Sequence, residues 1–107
     1  MGDDTPDSDL ESESDVALAT RVRRPRRHAA VLHNDDYTTF EFVVEVLTRF
    51  FSKSPEEAAA ITVQVHQQGK GVAGVFSYEI AETKCAQAME LARARGFPLK
   101  ATTEVVT

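Results

Sequence analysis

The sequence predicts an α+β domain with the element order β-α-α-β-α-β. Three observations predict it: apolar residues recur at helical spacing, short β-branched runs lie between turn residues, and capping residues precede the helices. Strands separated in this way can share one small sheet, with the helices covering a face. All of these segments lie in residues 28–107, which we assign to the folded core domain.

The first strand is predicted at residues 28–33, an apolar run that ends in the polar turn residues 34–36. Thr38 and Glu41 have the spacing of a capping box, so Thr38 is predicted as the N-cap of the first helix. The apolar positions of that helix recur every three or four residues: Phe40, Val43, Val44, Leu47, Phe50 and Phe51.

The second helix is predicted to follow Ser54, which precedes a proline and two glutamates, a typical helix start. It runs to about Gln68, because Gly69 can adopt the left-handed conformation that ends helices. Residues 71–76 are β-branched and flanked by glycine, and are therefore predicted as the second strand.

The third helix is predicted from the N-cap Ser77 to Gly96. A stripe of mostly small residues, which includes Ile80 and Cys85, is predicted to pack against the rest of the domain. The last strand is predicted at residues 99–106, which are rich in threonine and valine.

The N-terminal segment, residues 1–27, is predicted to be a disordered tail. Its first 15 residues contain seven acids and no bases, and such a stretch buries too little apolar surface to offset the entropy of ordering. An arginine cluster follows, formed by Arg21, Arg23, Arg24, Arg26 and Arg27. Two interpretations of the cluster are open: a solvated linker that balances the acids, or a contact with nucleic acid or a membrane surface.

The charge, the cysteine count and the lack of long apolar runs exclude several classes of function. The net charge of −5 argues against non-specific nucleic-acid binding by the whole chain, which needs a basic surface. The single cysteine cannot form an internal disulfide, and no apolar run approaches the roughly 18 residues that span a bilayer. We therefore expect a cytoplasmic protein that neither enters a membrane nor binds nucleic acid.

The densest set of hydrogen-bond acceptors is Asn34, Asp35 and Asp36, and His66 could add a neutral imidazole. Together they suit a cationic amine, although a plain turn beside a surface histidine is the alternative. The histidine has no paired metal-ligand spacing with the carboxylates, and no nucleophile or phosphate-binding glycine pattern is present. We therefore expect no metal, no cofactor and no enzymatic activity.

Four segments carry a resemblance to a known family: VLHNDDYTTFEFVVEV at residues 31–46, VHQQGKGVAGVF at 65–76, IAETK at 80–84 and GFPL at 96–99. In this order and spacing the chain resembles the ClpS family of adaptor proteins over about 80 residues. The resemblance implies a three-stranded antiparallel sheet packed on three helices, similar to the C-terminal domain of the ribosomal stalk protein. It also implies a monomer.

The function that the resemblance implies is binding without catalysis. ClpS adaptors bind proteins with a bulky N-terminal residue (Leu, Phe, Tyr or Trp) and deliver them to the ClpAP unfoldase and peptidase. The family's α-amine ligands fall on Asn34, Asp36 and His66, with Asp35 beside them acting through water. The family's side-chain pocket falls on these residues: Leu32, Thr38, Phe40, Val43, Thr62, Val65 and Leu99.

Two pocket positions depart from the family pattern. Phe40 stands where methionine is common, and Thr62 stands where a long apolar residue is usual, so the preferred N-terminal residue is open. The resemblance further places docking on the unfoldase's N-terminal domain at Glu79, Glu82 and Lys84. The alternative function is a small nucleic-acid- or ribosome-associated module that uses the arginine cluster.

Overall fold

The computed structural model of the chain describes residues 26–106. They form these elements: β1 (Arg27–His33), α1 (Phe40–Phe50), α2 (Pro55–Gln68), β2 (Lys70–Ser77), α3 (Tyr78–Arg95) and β3 (Lys100–Val105). The order β-α-α-β-α-β confirms the predicted fold class, and each element lies close to its predicted range. Residues 1–25 of the predicted tail, with three of the five clustered arginines, lie outside the described residues.

The sheet has β1 in the middle, with β2 and β3 antiparallel on either side. Leu32 of β1 pairs with Gly71 on one neighbour and with Ala101 on the other. Side chains alternate between the two faces of a strand, and Ala30, Leu32 and Ala101 belong to the core that the helices cover. The three helices therefore pack on one face of the sheet, as expected.

The predicted N-cap of α1 is wrong by one residue. The side chain of Thr39, not that of Thr38, accepts the hydrogen bond from the Phe42 backbone N–H, at 3.1 Å. The Thr38 hydroxyl instead donates to the Asp35 carboxylate at 2.7 Å. Because Asp35 engages the first threonine in the turn, the helix begins one residue later than the capping-box spacing predicts.

The predicted caps of α2 and α3 are confirmed. Ser54 and Glu57 form a reciprocal capping box, and Ser77 accepts from the N–H of Ile80. Gly69 ends α2 with φ 89°, a left-handed conformation that glycine adopts without steric strain. This sharp end leads the chain directly into β2 and holds the last turn of α2 beside the sheet.

Small side chains form the buried stripe of α3: Ala81, Cys85, Ala88 and Ala92. Their size lets the helix approach the sheet closely. Ile80 was expected in this stripe but is 50% exposed, because it lies one residue, or about 100° of helix rotation, away from Ala81. The N-terminal end of α3 therefore presents an apolar side chain to solvent.

Candidate functional site

The acceptor residues lie in the connection between β1 and α1. The backbone N–H of Asn34, directly after β1, donates to the Gly69 carbonyl at 2.9 Å. This bond ties the connection to the C-terminal end of α2. His66 occupies the last turn of α2, so the bond brings it beside residues that precede it by about 30 positions.

Asp35 organises the connection. Its Oδ1 accepts from the backbone N–H groups of Tyr37 and Thr38, at 2.8 and 2.7 Å, and its Oδ2 accepts from the Thr38 hydroxyl. Burial opposes ionisation of the carboxyl, but these hydrogen bonds outweigh it and hold the pKa of Asp35 below its ordinary value. An ionised Asp35 therefore fixes the turn, while Asp36 stays exposed.

A cavity of about 460 Å³ opens between this connection and α2. Ten residues line it: Asn34, Asp35, Asp36, Thr38, Thr39, Phe40, Val43, Thr62, Val65 and His66. Phe40 and Val43 come from one side of α1, and residues 62, 65 and 66 from one side of α2, because residues three or four apart share a helix face. Hydrogen-bond acceptors and apolar side chains thus share one cavity.

The structure brings together nine of the eleven residues predicted for the two parts of the site. Leu32 and Leu99 are not among the lining residues: they are 0% and 5% exposed and belong to the hydrophobic core. Thr39 lines the cavity but was missed by the sequence analysis, which gave its capping role to Thr38. The only sequence signal for Thr39 is that threonine suits a cap equally well at either position.

The wall formed by α2 is closely packed. The Thr62 hydroxyl donates to the Ala58 carbonyl at 2.7 Å, and Thr62 is 3% exposed. Behind Val65 lies Gly71 of β2, where an added Cβ would stand 2.9 Å from Val65 Cγ2. Because that distance is shorter than side chains tolerate, Gly71 lets β2 approach the cavity wall.

The three residues predicted to dock an unfoldase differ in their surroundings. Glu79 and Glu82 are exposed on α3, and Glu82 accepts from the Thr103 hydroxyl at 2.9 Å. Lys84 is half-buried, and its ammonium donates to the Phe50 carbonyl at the end of α1, at 2.8 Å. It also lies 5.3 Å from the Phe76 ring centre. The Lys84 charge is thus used within the domain.

The family model "ATP-dependent Clp protease adaptor protein ClpS" matches residues 23–102, and this range contains the whole cavity. The chain belongs to the ClpS family. A ClpS protein of Maricaulis maris is 50% identical over 100 residues, which are 92% of this chain and 92% of the relative. One of Desulfatibacillum aliphaticivorans is 54% identical over 84 residues, which are 78% of this chain and 81% of the relative.

A solved ClpS structure shares the fold. Agrobacterium tumefaciens ClpS2 bound to L-phenylalaninamide superposes with a TM-score of 0.76 at 40% identity. The match covers 78% of this chain and all of the ClpS2 chain. Fold and family agree, and the predicted resemblance is confirmed.

Membership in the ClpS family makes this chain an adaptor of the Clp protease and not a protease itself, as expected. Among residues 26–106, no three His, Cys, Asp or Glu side chains are placed to hold a metal ion. Burial, together with the Glu82 charge, raises the pKa of the Cys85 thiol to about 11. No helix of the described part of the chain is long and apolar enough to cross a membrane.

Proposed function

We propose that this adaptor binds proteins with a bulky hydrophobic N-terminal residue and delivers them to the ClpAP protease. The observation that supports the proposal is the single cavity shared by the acceptors of residues 34–36, the imidazole of His66 and the apolar side chains of α1 and α2. An N-terminal residue carries the two matching groups, an ammonium and a side chain, on one carbon atom. A cavity with both chemistries can test both groups in one binding event.

The ligand of the related ClpS2 structure supports this proposal. L-phenylalaninamide has a free α-amine, a benzyl side chain and a carboxamide in place of the carboxylate. It therefore represents the first residue of a polypeptide, whose carbonyl continues into a peptide bond. By similarity of fold and family, the same class of ligand fits this cavity.

The α-amine is recognised by acceptors. An α-amino group, with an ordinary pKa of about 8, is mostly protonated at pH 7 and donates three hydrogen bonds. The side-chain oxygen of Asn34, the carboxylate of Asp36 and a ring nitrogen of His66 accept one each in this proposal. Asp36 also supplies a negative charge, which strengthens its hydrogen bond to an ammonium.

Asp35 has a different part in the proposal. Three hydrogen bonds from Tyr37 and Thr38 occupy most of the roughly four lone-pair positions of its carboxylate. We assign it to positioning: it holds the turn that presents its neighbours Asn34 and Asp36. One remaining lone pair leaves room for the water contact expected from the family.

The hydrophobic side chain of the substrate binds against Phe40, Val43 and Val65. Full burial of a bulky apolar side chain contributes roughly 1.5 to 3 kcal/mol. Acetylation of the α-amine removes its charge and donors and leaves the acceptors unpaired, which costs on the order of 2 to 5 kcal/mol. Selection therefore requires both groups of the N-terminal residue.

Delivery requires a second surface, which the proposal places at the start of α3. Glu79 and Glu82 are exposed there and suit a basic partner surface on the N-terminal domain of the unfoldase. Lys84 supports the same helix from within, through its bond to the end of α1. The adaptor acts in this proposal as a monomer in the cytoplasm.

The binding half of the proposal is tested by fluorescence anisotropy with a labelled peptide that begins with phenylalanine. We expect binding by the free-amine peptide and at least ~30-fold weaker binding by its acetylated form. Asp36→Ala should weaken binding to a similar degree, whereas Glu90→Ala, which removes an exposed charge of α3, serves as the matched control. Equal affinity for the free and acetylated peptides would refute the proposed amine site.

The delivery half is tested by degradation of a fluorescent protein that begins with phenylalanine. Degradation by ClpAP should require the adaptor and should be lost with Asp36→Ala. Glu79→Ala combined with Glu82→Ala should abolish delivery while peptide binding in the anisotropy assay persists. Loss of both activities in that double variant would contradict the separation of the two surfaces.

A further inference from the structure

We infer that Thr62 is a specificity-determining residue and that the cavity prefers an aromatic side chain over leucine at the first residue of the substrate. The inference rests on the proposed function and specifies which members of the substrate class bind best. It depends on the size of the cavity, on the stiffness of its apolar wall and on the ring of Phe40 at its opening.

Thr62 contributes shape to the cavity and not a free donor. It lines the cavity and is 3% exposed, and its hydroxyl hydrogen is used by the Ala58 carbonyl at 2.7 Å. An apolar ring can therefore lie against Thr62 without leaving that donor unpaired. Because threonine is shorter than leucine, a leucine at position 62 would reach further into the cavity that Thr62 lines.

The apolar wall cannot contract around a small ligand. Val43 and Val65 are β-branched and have one strongly preferred rotamer in a helix, and the bond from the Thr62 hydroxyl to the Ala58 carbonyl holds Thr62 in place. The cavity of about 460 Å³ also includes the acceptors of residues 34–36, so the ligand side chain occupies only its apolar part, and these stiff side chains cannot close the volume that a leucine leaves unfilled there. A planar ring fills more of that volume, so the wall favours aromatic side chains.

Phe40 acts in the same direction. It is the first residue of α1, lines the cavity and is 46% exposed, which leaves its ring available to a ligand. Aromatic pairs gain stability beyond the area that they bury, and an aliphatic side chain lacks this contribution. The stiff apolar wall and the exposed Phe40 ring together predict that peptides beginning with Phe or Tyr bind about tenfold more tightly than a peptide beginning with Leu.

The test compares the affinity ratio of Phe and Leu peptides by fluorescence anisotropy, with an acetylated Phe peptide in every series. In Thr62→Leu the added methylene groups should occupy the space of the ring, and the ratio should fall from about tenfold to below ~3-fold. Val63→Leu, a neighbouring substitution at an exposed position of α2, is the matched control. An unchanged ratio in Thr62→Leu would overturn the inference.

Two further variants keep the test decisive. Thr62→Val removes the hydroxyl at nearly constant shape, and a fall in the ratio as large as in Thr62→Leu would assign selectivity to the hydroxyl and refute the volume argument. If Thr62→Leu unfolds, Phe40→Leu at the exposed mouth should still lower the ratio about threefold. Equal binding of Phe and Leu peptides by the unaltered protein overturns this inference alone, whereas absence of free-amine selectivity overturns the proposed function as well.

Discussion

Lys84 is predicted to stabilise the domain by closing the end of α1. Its ammonium donates to the Phe50 carbonyl at 2.8 Å, one of the carbonyls that a helix C-terminus leaves without an internal partner. The same group lies 5.3 Å from the ring centre of Phe76 and 6.0 Å from that of Phe51. One cation therefore holds α3, α1 and β2 together.

The substitution Lys84→Met keeps an unbranched apolar stem and removes the charge and the donors. A hydrogen bond from a charged group contributes about 1.5 to 3 kcal/mol, the helix dipole about 0.3 to 1, and a cation–π contact at an exposed site about 0.5 to 1. Because Lys84 is only half-buried and these contributions overlap, we expect a net loss of about 1.5 kcal/mol. For a domain of this size the loss corresponds to a decrease in Tm of ~6–12 °C.

Thermal unfolding followed by circular dichroism measures this effect, with Lys100→Met as the control because Lys100 is an exposed cation of β3. The Tm of the control should stay within about 2 °C of the unaltered protein. A Tm for Lys84→Met equally close to that of the unaltered protein would refute the structural role. Loss of delivery in such a stable variant would instead assign the ammonium to the unfoldase contact.

Three further predictions follow from the site and the core. Gly71→Ala should weaken binding of a Phe peptide about tenfold, because the new Cβ would stand 2.9 Å from Val65 Cγ2 and force Val65 into the cavity. A dissociation constant within about twofold of that of the unaltered protein, measured by anisotropy, would contradict this. Asp35→Asn should lower the free energy of unfolding by ~1–2 kcal/mol, since the charged acceptor of three hydrogen bonds is lost. The pKa of Asp35 is lowered in the folded state, so the stability difference between the two proteins should be fully present above the ordinary pKa of 3.8. It should disappear as the pH falls through the folded-state pKa. Guanidinium titrations that show a constant stability difference down to about pH 2 would argue against this role of Asp35. Cys85 is 3% exposed and has a pKa of about 11, so at pH 8 its alkylation in the folded protein should be at least ~100-fold slower than in 6 M guanidinium, and equal rates would exclude a buried, protonated thiol.

The sequence was sufficient to predict the elements and most of the residues that line the cavity. Ser54, Ser77 and Gly69 act on backbone groups within a few residues of themselves, so their effects can be predicted without knowledge of the rest of the chain. The family motifs, together with the shared helix faces, predicted nine of the ten lining residues. Their roles in binding remain predictions that the titrations above test.

Tertiary contacts decided what these local rules left open. Thr38 and Thr39 suit a cap equally well, and the hydrogen bond from the Thr38 hydroxyl to Asp35 leaves Thr39 as the cap. Leu32 and Leu99 have apolar side chains of the kind that line a pocket, but the packing of the sheet and the helices places them in the core.

The surroundings of Lys84 were likewise absent from its local sequence, because its partner Phe50 precedes it by 34 residues. The meeting of Asn34 with the last turn of α2 depends in the same way on a bond to Gly69, 35 positions later. Local propensity acts over a few residues and is written in the sequence pattern, whereas contacts over such separations form only when the whole core packs. For this reason the sequence alone determined the elements, and the tertiary structure decided how they meet around the cavity.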